Sequence, residues 1–184
     1  MSLTLHNATG YLAYFDLGFG DLLVFRRQPL HPDQRIKLNL HSPFEISAVT
    51  TLDGEHYYSG STRFMQPCTR FTAQLRQGEV PGEYHFELVQ GHGYEFDTLS
   101  LDKTCLTPVI FSIGRVQLPQ QTVVLDKMFD AARLHIGQHV NIGVVVNGVT
   151  VPGIAVEVDN AERTVTLVNE NPEQEPGFFQ LVQA

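Results

Sequence analysis

The chain has 184 residues, which leaves room for one large or two small domains. Apolar residues make up 42% and charged residues 17%, a balance that allows a packed core and argues against general disorder. The formal net charge of −8 argues against a protein whose main role is to coat nucleic acid, so no DNA partner is expected.

The first residues lack the features of a targeting segment. The stretch MSLTLHNATG has no basic region followed by a clean apolar core, so no signal peptide is predicted. The apolar run Tyr11 to Phe25 contains Asp16 and Asp21 and is too short to span a bilayer. Cys68 and Cys105 are too few for a disulfide framework or a zinc knuckle, and we interpret them as buried free thiols. We therefore expect a cytoplasmic protein without membrane contact.

Alternating apolar residues and β-branched or aromatic runs predict a chain built mainly of strands. The predicted strands cover residues 11–15, 22–26, 35–40, 44–52, 56–64, 70–75, 82–90, 94–101, 109–118, 139–146, 149–158, 164–169 and 177–182. Asp53-Gly54 and Asn147-Gly148 predict tight hairpins, because both dipeptides supply the positive φ that primed turns require.

The segment 122–136 is the one predicted helix of any length. A spacing that begins i, i+3, i+4, i+7 places on one face Leu125, Met128, Phe129, Ala132 and Ile136. Gly137 suits the position just after a helix end. Many short strands, hairpin turns and one helix indicate small antiparallel β-barrel or sandwich modules rather than a doubly wound fold.

A weak internal repeat indicates two modules. Residues 30–40 resemble residues 134–144, with Leu, His, Gln and alternating apolar positions in common. Upstream of each copy, Phe15-Asp16-Leu17-Gly18 resembles Phe111-Ser112-Ile113-Gly114. The repeat predicts an N-terminal β module at residues 1–90 and a C-terminal β module with the helix at residues 91–184. A single domain is the alternative.

A basic stretch between Phe25 and Leu40 is the main candidate for ligand recognition. It contains Arg26, Arg27, Arg35 and Lys37, of which the last two alternate along a strand and so point to one face. Guanidinium groups bind phosphate or carboxylate, so a small anionic ligand is predicted at Arg26, Arg27 and Arg35. The alternative is a solvated strand face that balances charge.

Histidines offer an alternative site. His56, His85 and His92 lie on or beside predicted strands, and imidazoles from neighbouring strands can converge on zinc, iron or manganese, as in cupin barrels. No HxH pair is present, and the sequence also lacks a P-loop, a GxGxxG motif after a strand and a GxSxG motif. We therefore assign no catalytic residue, cofactor or metal, and each histidine is interpreted as solvent-facing or satisfied within the fold.

The segment Asp16 to Val24, together with residues 30–40, resembles a PilZ domain, a bacterial six-stranded split barrel that binds cyclic di-GMP. Asp16 matches the Asp of that family's DxSxxG turn, whereas Gly18 replaces its Ser and Asp21 replaces its final Gly. The family's RxxxR motif is absent upstream of Asp16. Two tandem split barrels would resemble the flagellar-brake proteins, and PilZ domains that bind no dinucleotide act through protein contacts.

These observations predict a non-catalytic binding or regulatory protein built of split-barrel-like modules. It would act through a protein partner or through a small anionic ligand held by Arg26, Arg27, Arg35 and Asp16. A metal-dependent cupin-like enzyme and an all-β assembly protein that forms a homo-oligomer are the alternatives.

Overall fold

The computed structural model describes residues 2–65, 69–93, 95–137, 139–157, 161–169 and 178–184. Across these residues the protein is mainly β, as predicted. The strands are β1 (Ser2–Asn7), β2 (Ala13–Phe19), β3 (Leu22–Leu30), β4 (Arg35–Asn39), β5 (Phe44–Leu52), β6 (Glu55–Phe64), β7 (Thr69–Gln77), β8 (Tyr84–His92), β9 (Thr98–Lys103), β10 (Val109–Arg115), β11 (Gln121–Leu125), β12 (Ala131–His135), β13 (His139–Val146), β14 (Val149–Glu157), β15 (Glu162–Asn169) and β16 (Phe179–Gln183).

The strands belong to two compact units. The terminal unit consists of Met1–Ser42 and Gln138–Ala184, and the inserted unit consists of Pro43–Gly137. The units differ from the predicted division at residues 90 and 91, because strand pairing joins segments that are far apart in the chain. The cause is long-range pairing, which no local pattern reveals.

The terminal unit contains two four-stranded sheets. Sheet A has the order β16-β15-β1-β4, and sheet B has the order β14-β13-β2-β3. The central pair of sheet A, β1 with β15, is parallel, whereas its other pairs and those of sheet B are antiparallel. Alternate residues such as Leu3, Leu5, Phe15 and Leu17 are fully buried, so each sheet turns one face to the core.

The inserted unit also contains two four-stranded sheets. Sheet C has the order β11-β10-β5-β6, and sheet D has the order β12-β9-β7-β8, with a parallel central pair of β7 and β9. Phe64 of sheet C contacts Phe44 of the same sheet at 5.3 Å between ring centroids and Phe71 of sheet D at 5.1 Å. The aromatic contact shows that the two sheets of this unit share one core.

Both predicted hairpins are confirmed. Asp53 and Gly54 connect β5 to β6 with φ of 52° and 85°, and Asn147 and Gly148 connect β13 to β14 with φ of 48° and 76°. Positive φ at both central positions matches the twist of the flanking strands, which explains why these dipeptides were informative.

The predicted helix at 122–136 is wrong. Residues Gln121–Leu125 and Ala131–His135 are strands, and no helix occurs in the described part of the chain. The β-branched run Thr122-Val123-Val124 favours a strand, and β10 provides a pairing partner along all of β11. Met128 and Phe129, which the helical pattern placed on one apolar face, are exposed in the turn between the two strands.

The two longer segments of the predicted repeat do not occupy equivalent places. Residues 30–40 lie wholly in the terminal unit, whereas residues 134–144 pass from β12 in the inserted unit to β13 in the terminal unit. The shorter pair does correspond, because Phe15–Gly18 lies in β2 and Phe111–Gly114 lies in β10. Each of these is an interior strand of an antiparallel sheet, next to an edge strand.

Candidate functional site

Asp16, one of the predicted ligand residues, stabilises a β-bulge. Phe15 pairs with Gln28 and Leu17 pairs with Phe25, so Arg26 and Arg27 of β3 together oppose the single residue Asp16 of β2. Its Oδ1 accepts a hydrogen bond of 2.6 Å from the backbone N–H of Arg27, whose φ is 52°. The carboxylate therefore fixes an irregular stretch of backbone.

The three predicted arginines lie on two different sheets. Arg26 and Arg27 are exposed on β3 at the edge of sheet B, and Arg35 is exposed on β4 at the edge of sheet A, opposite His6. On the same face as Arg35, Lys37 forms an ion pair with Glu162. The basic stretch is thus divided between two sheet edges, and one of its charges is neutralised.

A shallow groove of about 490 Å³ crosses sheet B, and Asp16, Gly18, Asn141, Gly143 and Gly153 contribute to its lining. A Cβ at Gly18 would lie 3.1 Å from the carbonyl oxygen of Leu22, and one at Gly153 would lie 2.9 Å from that of Ile142. These two glycines are required by the close approach of neighbouring strands. Their presence in the groove has a structural reason that is independent of any ligand.

Sheet C carries an apolar row that sequence reasoning missed. Val124, Ile110, Val49 and Tyr58 occupy β11, β10, β5 and β6, and each pairs directly with the next. Directly paired residues project from the same face of a sheet, so the row runs across all four strands. Tyr58 is 72% exposed, Val124 57% and Ile110 40%, so this face is open to solvent.

Polar residues border the apolar row on both sides. On one side Thr122, Ser112, Ser47 and Ser61 pair across the same four strands. On the other side a depression of about 290 Å³ is lined by three residues of the row, Ile110, Val49 and Tyr58, together with Thr51, His56 and Pro108. Nδ1 of His56 lies 2.9 Å from Oγ1 of Thr51. An apolar centre with a hydroxyl and imidazole rim is the composition expected of a protein-binding surface.

Two loops with exposed apolar residues leave the same end of sheet C. Leu106 precedes β10 and Met128 follows β11, at the end where Val109 pairs with Leu125. The buried Nζ of Lys103 donates hydrogen bonds to the carbonyl oxygens of Thr107 (2.8 Å) and Asp126 (3.4 Å). One buried ammonium therefore holds both loops in place beside the apolar row.

Arg115, at the end of β10, is a largely buried cation. Its guanidinium carbon lies 4.2 Å from the ring centroid of Phe44, and burial lowers the pKa of Arg115 to about 10. The side chain remains charged at neutral pH and its cation–π contact closes the edge of the core in the inserted unit.

The histidines proposed as alternative ligands lie on two sheets. His56 is on β6 in sheet C, and His85 and His92 are near opposite ends of β8 in sheet D. Among the described residues, no three His, Cys, Asp or Glu side chains form a cluster suited to a metal ion. Cys105 is a buried free thiol, as predicted, and Cys68 lies outside the described residues.

No protein-family model, curated protein or solved structure matches the chain. Within the described residues, no helix combines the length and apolar character needed to cross a membrane.

Proposed function

We propose that the protein is a non-catalytic cytoplasmic binding module that acts through a protein contact, and that the contact is made by the exposed face of sheet C. The apolar row Val124–Ile110–Val49–Tyr58 carries the proposal, because a contiguous exposed apolar patch with a polar rim is a feature of protein interaction sites. Tyr58 is a typical anchor residue at such interfaces.

A protein contact is favoured over the small anionic ligand. Recognition of phosphate by arginine is strongest where guanidinium groups converge on it, whereas Arg26 and Arg35 lie on the edges of different sheets. The carboxylate of Asp16 already accepts a hydrogen bond from the backbone. In terms of the PilZ resemblance, the protein corresponds to a member that acts through protein contacts, and that resemblance remains a prediction.

Site-specific photo-crosslinking tests the proposal. A photoreactive amino acid replaces Val124 at the exposed edge of the apolar row, in cells that produce the chain. A matched control replaces Val182, a valine on the edge strand β16 that is 42% exposed. We expect a discrete protein adduct at position 124 and none at position 182.

The second arm weakens the surface without disturbing the sheet. Ile110→Thr and Tyr58→Ser keep strand-compatible or small side chains at exposed positions, so the melting temperature should be retained. Loss of the adduct at position 124 in both variants supports the proposal. An adduct that persists in both variants, or equal adducts at positions 124 and 182, overturns it. An adduct composed of two copies of this chain identifies the partner as the protein itself.

A further inference from the structure

We infer that the chain consists of two copies of one eight-stranded repeat, β1–β8 and β9–β16, which have exchanged halves. The terminal unit would then combine the first half of repeat one (β1–β4) with the second half of repeat two (β13–β16). The inserted unit would combine the two remaining halves, β5–β8 and β9–β12.

The sheet topology carries the inference first. In this comparison each strand of the first repeat is replaced by the strand numbered eight higher, and each strand of the second repeat by the strand numbered eight lower. The order β14-β13-β2-β3 of sheet B then becomes β6-β5-β10-β11, which is the order of sheet C read from its other edge. The same replacement converts sheet A into β8-β7-β9-β12, which is sheet D. The same replacement converts the parallel pair β1 with β15 into β9 with β7, which is also parallel.

Residue register agrees with the topology at an offset of 96 residues. Phe15 opposes Val144 and Leu17 opposes Ile142 in the terminal unit. At the positions 96 residues away, Phe111 opposes Ala48 and Ile113 opposes Ile46 in the inserted unit. The hydrogen bond from Ala8 N–H to Leu167 O has a counterpart from Thr104 N–H, 96 residues after Ala8, to Ala73 O, 94 residues before Leu167. The pairing of β2 with β13 and of β10 with β5 therefore keeps an offset of 96 residues, whereas the acceptors on β15 and β7 differ by 94.

Buried polar groups follow the same offset. Asn7, like Lys103, is a buried polar residue, and its Nδ2 donates to the carbonyl oxygens of Tyr11 and Leu30 at 2.8 and 2.9 Å. Lys103 donates to the carbonyl oxygens of Thr107 and Asp126, which lie 96 residues after Tyr11 and Leu30. A lysine and an asparagine thus perform one structural task in two places, which simple convergence of β-sheets does not require.

The turns after β3 and β11 provide a third correspondence. His31 N–H donates to Oε1 of Gln34, and Lys127 N–H donates to Oδ2 of Asp130, again at positions 96 residues apart. The third residue of each turn has positive φ, 59° at Asp33 and 52° at Phe129. Bulky residues such as Phe129 rarely adopt this conformation, so its recurrence indicates a common backbone.

Because the halves are exchanged, strand pairing holds the two repeats together in both units. The only covalent link between the repeats lies between β8, which ends at His92, and β9, which begins at Thr98. Four strand pairs join the repeats without covalent bonds: β1 with β15, β2 with β13, β7 with β9 and β5 with β10. Cutting the chain between the repeats should therefore leave both units intact.

The first test inserts a protease recognition sequence between residues 93 and 94 of the full chain. After cleavage under native conditions, we expect both fragments to elute together at the mass of one chain, with the melting curve of the uncut insertion variant. Separate elution of the two fragments overturns the inference, because unexchanged modules at residues 1–93 and 94–184 would part. Elution at the mass of two chains overturns exchange within one chain.

The second test distinguishes the two pairings by disulfide formation, in a background carrying Cys68→Ser and Cys105→Thr. Ser112 pairs with Ser47 in the exchanged fold, at the Cα separation of about 4.5–5.5 Å that a disulfide accepts. In an unexchanged fold Ser112 would instead pair with Gly143, the equivalent of Ser47. We expect Ser47→Cys with Ser112→Cys to oxidise and to join the two fragments of the cleaved chain.

The matched control combines Ser112→Cys with Gly143→Cys, where an added Cβ meets only the Cβ of Asp16 at 3.9 Å. We expect no disulfide between positions 112 and 143 in peptide maps by mass spectrometry. A disulfide at that pair, with none between positions 47 and 112, overturns the inference.

Discussion

Lys37 and Glu162 form an ion pair of 2.8 Å between side chains that are 125 residues apart in the chain. The pair spans β1 in sheet A, from β4 on one side to β15 on the other. The hydrogen bond and charge of Lys37 hold the pKa of Glu162 below its ordinary value, and a hydrogen bond from Ser2 acts in the same direction.

The effect of pH on this ion pair follows from the lowered pKa of Glu162. Because the pKa is lower in the folded protein than in the unfolded chain, the stabilisation is present at neutral pH and is lost as the pH falls through the lowered pKa. We expect Lys37→Ala to raise the pKa of Glu162 toward its ordinary value, as measured by NMR titration. High salt should reduce the difference in the pKa of Glu162 between the parent protein and the Lys37→Ala variant, since both side chains of the ion pair are exposed. An unchanged pKa in the variant would contradict the assignment.

The Asn7 and Lys103 side chains should be required for stability, each in its own unit. Asn7→Ala leaves two carbonyl oxygens and the N–H and hydroxyl of Thr9 without their partner, so we expect a loss of about 2–4 kcal/mol. Lys103→Ala should cost about 1–3 kcal/mol for the same reason. Lys127→Ala, at an exposed lysine, is the charge-matched control for Lys103.

Hydrogen exchange resolved by unit provides the measurement. We expect Asn7→Ala to accelerate exchange in the terminal unit and Lys103→Ala to do so in the inserted unit. Equal acceleration by Lys127→Ala would show that charge rather than the buried hydrogen bonds matters.

Two glycine substitutions in the terminal unit should isolate the cost of backbone conformation, because neither position is crowded. Gly148 has φ of 76° with open space around its Cα, so Gly148→Ala should cost about 1–2 kcal/mol from conformation alone. Gly143→Ala should change stability by less than about 0.5 kcal/mol, because an added Cβ makes only one ordinary contact. Urea unfolding measures both, and equal losses would contradict this account.

The bulge at Asp16 should depend on its carboxylate oxygen. Asp16→Ala removes the acceptor for the Arg27 N–H, so we expect faster hydrogen exchange at that amide and a loss of about 1 kcal/mol. Asp16→Asn keeps an acceptor oxygen in nearly the same place and should retain most of the protection. If both variants exchange like the parent protein, the bulge is held by other contacts.

Calorimetry separates the protein contact from the small anionic ligand. Titration with cyclic di-GMP should give no saturable heat, because Arg26 and Arg35 lie on different sheets. Saturable heat that disappears in the Arg26→Ala/Arg27→Ala double variant would instead support dinucleotide binding at that edge of sheet B.

Local patterns predicted most strands because their alternation is strong and their turns are marked. The bounds Phe44–Leu52 and His139–Val146 match the prediction, and Asp53-Gly54 and Asn147-Gly148 mark their ends. β1 was missed because Ser2–Asn7 offers only two apolar residues, and its burial depends on β15, far away in the chain. The helical spacing of residues 122–136 was misleading because two short strands and a turn happen to carry the same pattern.

The candidate surface was harder to predict than the fold. The apolar row takes one residue from each of four strands, so it exists only once the register of sheet C is known. The arginines had the opposite difficulty. They are close in the sequence, but the turn between β3 and β4 sends Arg26 and Arg35 to different sheets.

The insertion of one unit within the other determines the order in which a chain emerging from the ribosome can fold. All eight strands of the inserted unit are available once residue 137 has been synthesised. In contrast, β2 must wait for β13, which begins at His139, and β1 must wait for β15, which begins at Glu162. During that interval the first four strands have exposed hydrogen-bonding edges, the state in which aggregation competes with folding. Slow translation beyond residue 137 would therefore prolong the period in which the nascent protein needs chaperones.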